Sequence, residues 1–179
     1  QGTRYWYGTQ PGVGQMARDR AEQFRASRRH DIVELIRQRV QTEVADRALF
    51  KGVHVFPQSP ADVPDLDEVR LVVLPPDQAH IARSESSAAR DAATHLLDQR
   101  GTGPRLNKNH LVFLAADHKS VDALEQAAAE LLAWQSIDAE KVTLNLDEHN
   151  KALATTKAAD ADRTLRLRVR ESYVWCLVP

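Results

Sequence analysis

One cysteine, Cys176, stands among the 179 residues, so neither an intramolecular disulfide nor a cysteine-built zinc site can form. Within YVWCLVP this lone thiol is expected to pack as a small buried hydrophobe. Long apolar runs are missing as well. None approaches the ~20 residues of a membrane span, and no signal peptide is visible, so a cytoplasmic setting without a membrane partner is expected. Charge of one sign is also lacking: the formal net charge is −1, which leaves no global field to attract nucleic acid or an anionic bilayer. No G-x-x-x-x-G-K-[ST], H-E-x-x-H or G-x-S-x-G pattern occurs. An initiator methionine is absent, and the last residues form an apolar strand with no polar tail, as in a piece excised from a longer polypeptide.

What is present reads as an α/β chain. Composition is ordinary for a globular domain, with 42% hydrophobic and 27% charged residues. Charge is unevenly placed. Residues 1–50 hold nine Arg against six acids and residues 151–179 six bases against three, while the middle hundred hold nine bases against sixteen acids. From Pro11 onward, Val13, Met16, Ala17 and Phe24, then Ile32, Leu35, Ile36, Val40 and Val44, recur at helical spacing. SRRHD interrupts them, and Asp31 with Glu34 resembles a capping box, which predicts two helices over 12–28 and 32–49. VHVFP (53–57) and VRLVVLPP (69–76) read as strands separated by a proline-punctuated loop; the second has the unbroken apolar run of a strand covered on both faces. Ser84 to Arg100 reads as a helix stopped by Gly101, HLVFLAA (110–116) as the strongest strand, and 120–136 as a further helix. This strand–helix–strand order is a βαβ unit with parallel pairing. A polar helix is expected from Asp147 to about Arg163. LRLRVR (165–170) alternates, which fits a strand or a charged helix end equally well, and SYVWCLVP closes the chain as a core strand. The whole predicts a single α/β domain with a mixed, mostly parallel sheet, helices packed on both faces, and an N-terminal helical pair. Residues 1–50 supply an aromatic strand plus helical region, 51–136 the βαβ core, and 137–179 the long helix and closing strand.

Candidate sites are few. Three of the ten aromatic residues lie together in RYWYGTQP. Fully burying a large aromatic stabilises by roughly 2–3 kcal/mol, so Tyr5, Trp6 and Tyr7 are expected to pack as a strand between layers. Arg4, Tyr5, Trp6, Tyr7 and Gln10 are also the candidates for a contact or a trans-acting role. Arg163, Arg166, Arg168 and Arg170, with the arginines of 18–39, form a basic strip that could meet phosphates, although a solvated, ion-paired face is the simpler reading. The GTG of RGTGPR follows a helix and precedes a strand, the reverse of a phosphate loop, and is expected to be a turn. Asp62, Asp65, Asp67 and Glu68 could hold a metal as nuclease acids do, but an acidic solvated loop is expected. Asp117 or Ser120 is expected to cap the helix after HLVFLAA. The histidines (His30, His54, His80, His95, His110, His118 and His149) show no i, i+4 ligand pairing. Neither a catalytic nor a metal-binding residue is predicted.

RYWYGTQPGVGQMARDRAEQ, FKGVHVFPQSPADVPD, RLVVLPP, RLNKNHLVFLAAD, LLAWQSI and YVWCLVP, in that order, resemble the domain-of-unknown-function family numbered four hundred and ninety-nine, described as prokaryotic ATP-binding proteins of the AAA+ or P-loop class. The resemblance implies a fragment from the middle of such a protein, downstream of its Walker motif, with ATP and Mg expected for the parent and no cofactor for the fragment itself. It further implies a non-catalytic accessory or regulatory module whose partner is the remainder of the parent ATPase. A link to DNA or DNA-modification proteins in phage defence is also implied, and Arg4 is the one candidate arginine finger. A nucleic-acid-binding module using the Arg-rich faces is the alternative expectation, and a metal-dependent nuclease-like domain a third.

Overall fold

The computed structural model describes residues 12–45 and 49–179. Helices α1 (Val13–Ser27) and α2 (Arg29–Val44) lead. Strands β1 (Gly52–Val55) and β2 (Arg70–Val73) follow, then helix α3 (Ala88–Asp98) and a small hairpin of β3 (Gln99–Arg100) and β4 (Gly103–Pro104). Strand β5 (Leu111–Ala116), helices α4 (Val121–Ala139) and α5 (Glu148–Ser172), and strand β6 (Tyr173–Leu177) complete the order. The main sheet runs β1-β2-β5-β6, parallel across the first three strands and antiparallel at β6. The chain therefore has an α/β fold with a mixed, mostly parallel sheet.

Alternation along the strands divides the side chains between two apolar layers. Val72, Leu74, Leu111, Phe113 and Ala115 meet α3 through Ala89, Ala93 and Leu96. Leu71 and Val73, with Val53, Val55, Val112 and Leu114, face a helical layer built from α1, α2, α4 and α5. Every residue of β2 is buried, as its unbroken apolar run requires. In α2 the buried residues recur every fourth position, Ile32, Ile36, Val40 and Val44, which keeps one stripe against the sheet. Far from the sheet, Val13 and Ala17 of α1 close on Ile137 and Ala154.

Several expectations are corrected by the packing. The break between α1 and α2 is one residue, Arg28, with φ −132° and ψ 38°. No capping box forms there, because Asp31 pairs with Arg28 at 2.6 Å and Glu34 with Arg37 at 2.6 Å. Helix α3 begins at Ala88, not Ser84, since the Ser87 side chain caps it. It ends before Gly101, whose φ of +63° serves the β3–β4 turn instead. LRLRVR is helical. Leu165 and Val169 lie four apart on the buried face, while Leu167 points to solvent, so the alternation in sequence does not follow a strand. SYVWCLVP forms an edge strand, not a core one, and Cys176 is exposed. Trp175 and Leu177 pack on the α3 side, so the intervening Cys176 faces the other way, outside both layers.

Helix α4 buries Leu124, Leu131 and Ile137 together with four alanines. Truncating a buried leucine costs about 2–5 kcal/mol. Leu131→Ala is therefore expected to lower the urea-unfolding free energy by about 3 kcal/mol, whereas Leu167→Ala on exposed α5 surface stays within about 0.5 kcal/mol.

Candidate functional site

In an open α/β sheet a ligand crevice forms outside the carboxyl ends of adjacent strands whose chains leave to opposite faces. Here that place lies between β2, which leads to α3 on one face, and β5, which leads to α4 on the other. The gap is closed by the chain itself. His80 forms a parallel bridge with Asp117: its N–H donates to the Ala116 carbonyl at 2.8 Å and its carbonyl accepts from His118 N–H at 2.9 Å. The His80 imidazole, 4% exposed, meets the Trp175 ring edge-on at 4.8 Å. Its Nδ1 is 3.0 Å from Ser87 Oγ. Trp175 Nε1 donates to Asp117 Oδ2 at 2.9 Å, and the other carboxylate oxygen accepts from Lys119 N–H at 2.8 Å. The indole first, and the Lys119 amide second, hold the Asp117 carboxyl below the usual carboxylate range.

Ser87 and His80 have the spacing of a nucleophile and its base. Both are interior, however, with Ser87 5% exposed, and the serine oxygen also accepts from Arg90 N–H at 3.4 Å as the cap of α3. Asp117, the nearby acid, is held by Trp175 and Lys119. The cluster works as a polar lock joining β5, β6 and the start of α3. Beside it, a surface cleft of about 420 Å³ lies between the start of α2 and the ends of β1 and β2, lined by Arg29, Arg37, Phe56, Gln58 and Asp77 among others. Phe56 adopts φ +56° there, an uncommon backbone for an aromatic residue, fixed by its N–H bond to the Val73 carbonyl at 2.9 Å. The cations of this cleft are matched: Arg29 meets Glu125 at 2.7 Å and Arg37 meets Glu34. Arg37 and Gln38 together bring the Glu34 carboxyl down to about 2.

A second polar network holds the other end of the sheet. Arg105 is 2% exposed and donates only to main-chain carbonyls. Its Nε reaches Leu96 at 2.7 Å, and its terminal nitrogens reach Val63 at 2.9 Å and Pro64 at 3.2 Å, with longer bonds to Pro60 and Gln99. The proline-rich loop is thereby tied to the carboxyl end of α3, where the helix dipole favours a cation. Burial pushes the Arg105 guanidinium below its ordinary value, and Asp65 opposes that shift. The Asp65 side chain, 1% exposed, accepts the amides of Leu106 at 2.8 Å and Asn107 at 2.9 Å.

Other predicted site residues have separate structural tasks. Arg4, Tyr5, Trp6, Tyr7 and Gln10 lie outside the described residues. The four acids of the proline loop do not converge. Asp62 accepts the Gln58 and Ser59 amides, Asp65 holds the Leu106 turn, Asp67 contacts His110 and Glu68 meets Arg70. Arg163 pairs with Asp160 and Arg168 with Glu171, while Arg166 and Arg170 both meet Glu43 of α2, at 3.3 and 2.7 Å. Four arginines of 18–39 bridge helices: Arg20 to Glu140 at the end of α4, Arg25 to Asp122 and Arg29 to Glu125 join α1 and α2 to α4, and Arg39 to Asp162 joins α2 to α5, while Arg18, Arg28 and Arg37 take partners three residues away. Neither Asp117 nor Ser120 caps α4 as expected: the Asp117 side chain caps the short 3-10 turn that precedes it, and Ser120 at the helix start supplies no side-chain cap. His54 accepts from Arg70 at 3.3 Å, and burial followed by the Arg70 charge pushes its imidazole below the ordinary value. Among the described residues no three of His, Cys, Asp and Glu are grouped to hold a metal ion, and no helix is long and apolar enough to cross a membrane. Sequence reasoning missed Arg105 and the pairing of His80 with Ser87, because nothing local marks an arginine or histidine as interior.

No protein-family model matches the chain, and no curated protein or solved structure matches it.

Removing one member of a buried charged network costs about 3–5 kcal/mol, so Arg105→Met is expected to lower unfolding stability by that order in a urea titration. Arg105→Lys is expected to rescue only a fraction, since an ammonium lacks the planar fork. Asp117 and Asp65 both sit below their unfolded values. Their contribution is therefore complete above the unfolded carboxylate value of about 4 and is lost as pH falls through the lower folded value. Asp117→Asn should flatten this acid limb, read as a smaller drop in the urea midpoint between pH 7 and pH 3 than in the wild-type chain.

Proposed function

We infer that the chain is an accessory, non-catalytic α/β module of a larger ATP-binding protein, acting in the cytoplasm by supporting or regulating the nucleotide-binding part. The observation that carries this reading is the filled crevice. Where a doubly covered sheet offers a ligand its natural seat, the His80, Ser87, Trp175 and Asp117 side chains bind one another. The arginine-rich faces fit the same reading, because many of their guanidinium groups are taken up in ion pairs, between helices at Arg20, Arg25, Arg39 and Arg170 and within a helix at Arg163 and Arg168. The AAA+ or P-loop class of the parent, its ATP and Mg, and its place in DNA modification or phage defence rest on the sequence resemblance. Isothermal titration of the chain with ATP and magnesium is expected to give no binding heat. Magnesium-dependent binding in the low-micromolar range would overturn the reading.

A further inference from the structure

We propose that the outer edge of β6 accepts an extended, uncharged segment of a partner polypeptide, which continues the sheet and lays large apolar side chains into the cavity beside that edge. Strand β6 ends the sheet order, and among the described residues no strand lies beyond it. Its outward N–H and C=O groups therefore have no ladder partner, and another strand answers such a row at the right spacing. Natural edges are guarded by charges, prolines or bulges. Here a register shift between Ala115 and Ala116 marks one end of the β5–β6 pairing and Pro179 lies past the other. Residues 172–179 carry no charged side chain, so the run from Val174 to Leu177 is left open. The opposite edge differs: β1 follows Lys51, carries His54 and is partly buried at every residue.

The side chains of the edge show what the incoming strand must bring. Trp175 and Leu177 pack toward α3. Val174, Cys176 and Val178 alternate with them and are exposed, the valines at 56% and 69%. Cys176 pairs in register with Leu114. Leu114 in turn lines an open cavity of about 420 Å³ with Val40, Val44, Val169 and Tyr173, so the exposed stripe and the cavity adjoin. The ionic groups in that lining, Glu43 and Arg170, meet each other at 2.7 Å, and an incoming side chain finds no charge to answer. This closed pair and the neutral edge match an uncharged segment and give neither nucleic acid nor an anionic bilayer a field to follow. Size selects against a second copy of the chain. Set edge to edge, a copy would present valine, cysteine and valine from about 4.8 Å beyond β6, and such short side chains do not reach the cavity. Phenylalanine, leucine or methionine at every second residue are long enough. Strand addition of this kind draws affinity from main-chain bonds and specificity from the pocket for alternate side chains.

Cys176, the one cysteine of the chain, sits within this edge and reports its occupancy through the rate of reaction with an aromatic disulfide reagent. The probe is a synthetic peptide of about six residues that alternates phenylalanine with threonine and carries a lysine at each end for solubility. Saturating peptide is expected to slow the Cys176 reaction at least ~5-fold, with a Kd of about 100 µM or tighter. The same peptide N-methylated at every backbone amide is expected to bind at least ~10-fold more weakly, since it cannot build the ladder. Val174→Lys, which charges the edge at an exposed position, is expected to weaken binding at least ~10-fold. Val142→Lys, in the exposed α4–α5 turn, should leave binding unchanged. Thermal unfolding checks that Val174→Lys folds; if it does not, the N-methylated peptide decides on the unaltered chain. An unchanged Cys176 rate at about 1 mM peptide would overturn the proposal. So would equal binding of the N-methylated peptide, or binding that survives Val174→Lys in folded protein. Sedimentation that shows a dimer dissolved by Val174→Lys would overturn it too, by giving the edge to a second copy.

Discussion

A guanidinium removed from water must be given acceptors, and the fold organises one end of itself around that demand. Arg105 finds them in the last carbonyls of α3 and in a loop whose prolines preclude a regular ladder. Neither segment has a repeating partner for those carbonyls, and a buried carbonyl left alone is costly. One side chain thus answers two shortages at once. The link also fixes the stretch between β1 and β2, which pair in parallel with only a one-turn 3-10 helix, Pro60–Asp62, between them.

Charge placement along the sequence has a related explanation. The basic helices α1 and α2 lie against part of the acidic middle of the chain, where Arg20, Arg25 and Arg29 meet Glu140, Asp122 and Glu125 in and at the end of α4. Helix α5 repeats the device with α2 through Glu43 and Asp162. Exposed pairs of this kind contribute only ~0–1 kcal/mol each. Their value lies in matching which helix meets which, since like charges would face each other in a shifted arrangement.

Much of the architecture was legible because periodicity and terminators are local. Apolar runs announced β2 and β5, and Asp147 and the four-residue spacing of Ile32 to Val44 announced helices. The failures share one cause. Whether Leu167 or Cys176 is inside depends on the layer above it, and no neighbour in sequence reports that layer. For the same reason, a period of two in LRLRVR could not separate helix from strand. The sites were less legible still. Asp62 and Asp65 drew notice as acids, yet their partners are amides of a turn and of a distant loop. Arg105 and His80 carry no mark of burial in their flanking residues.

Ser172 ends α5 and Tyr173 begins β6, with no intervening loop. A helix of 25 residues is about 37 Å long at 1.5 Å per residue, and it is welded to the strand that holds Trp175. Its far end is buried with Val13, Ala17 and Ile137 through Ala154, so one unbroken element spans from the helical layer to the strand whose indole bonds the Asp117 carboxylate.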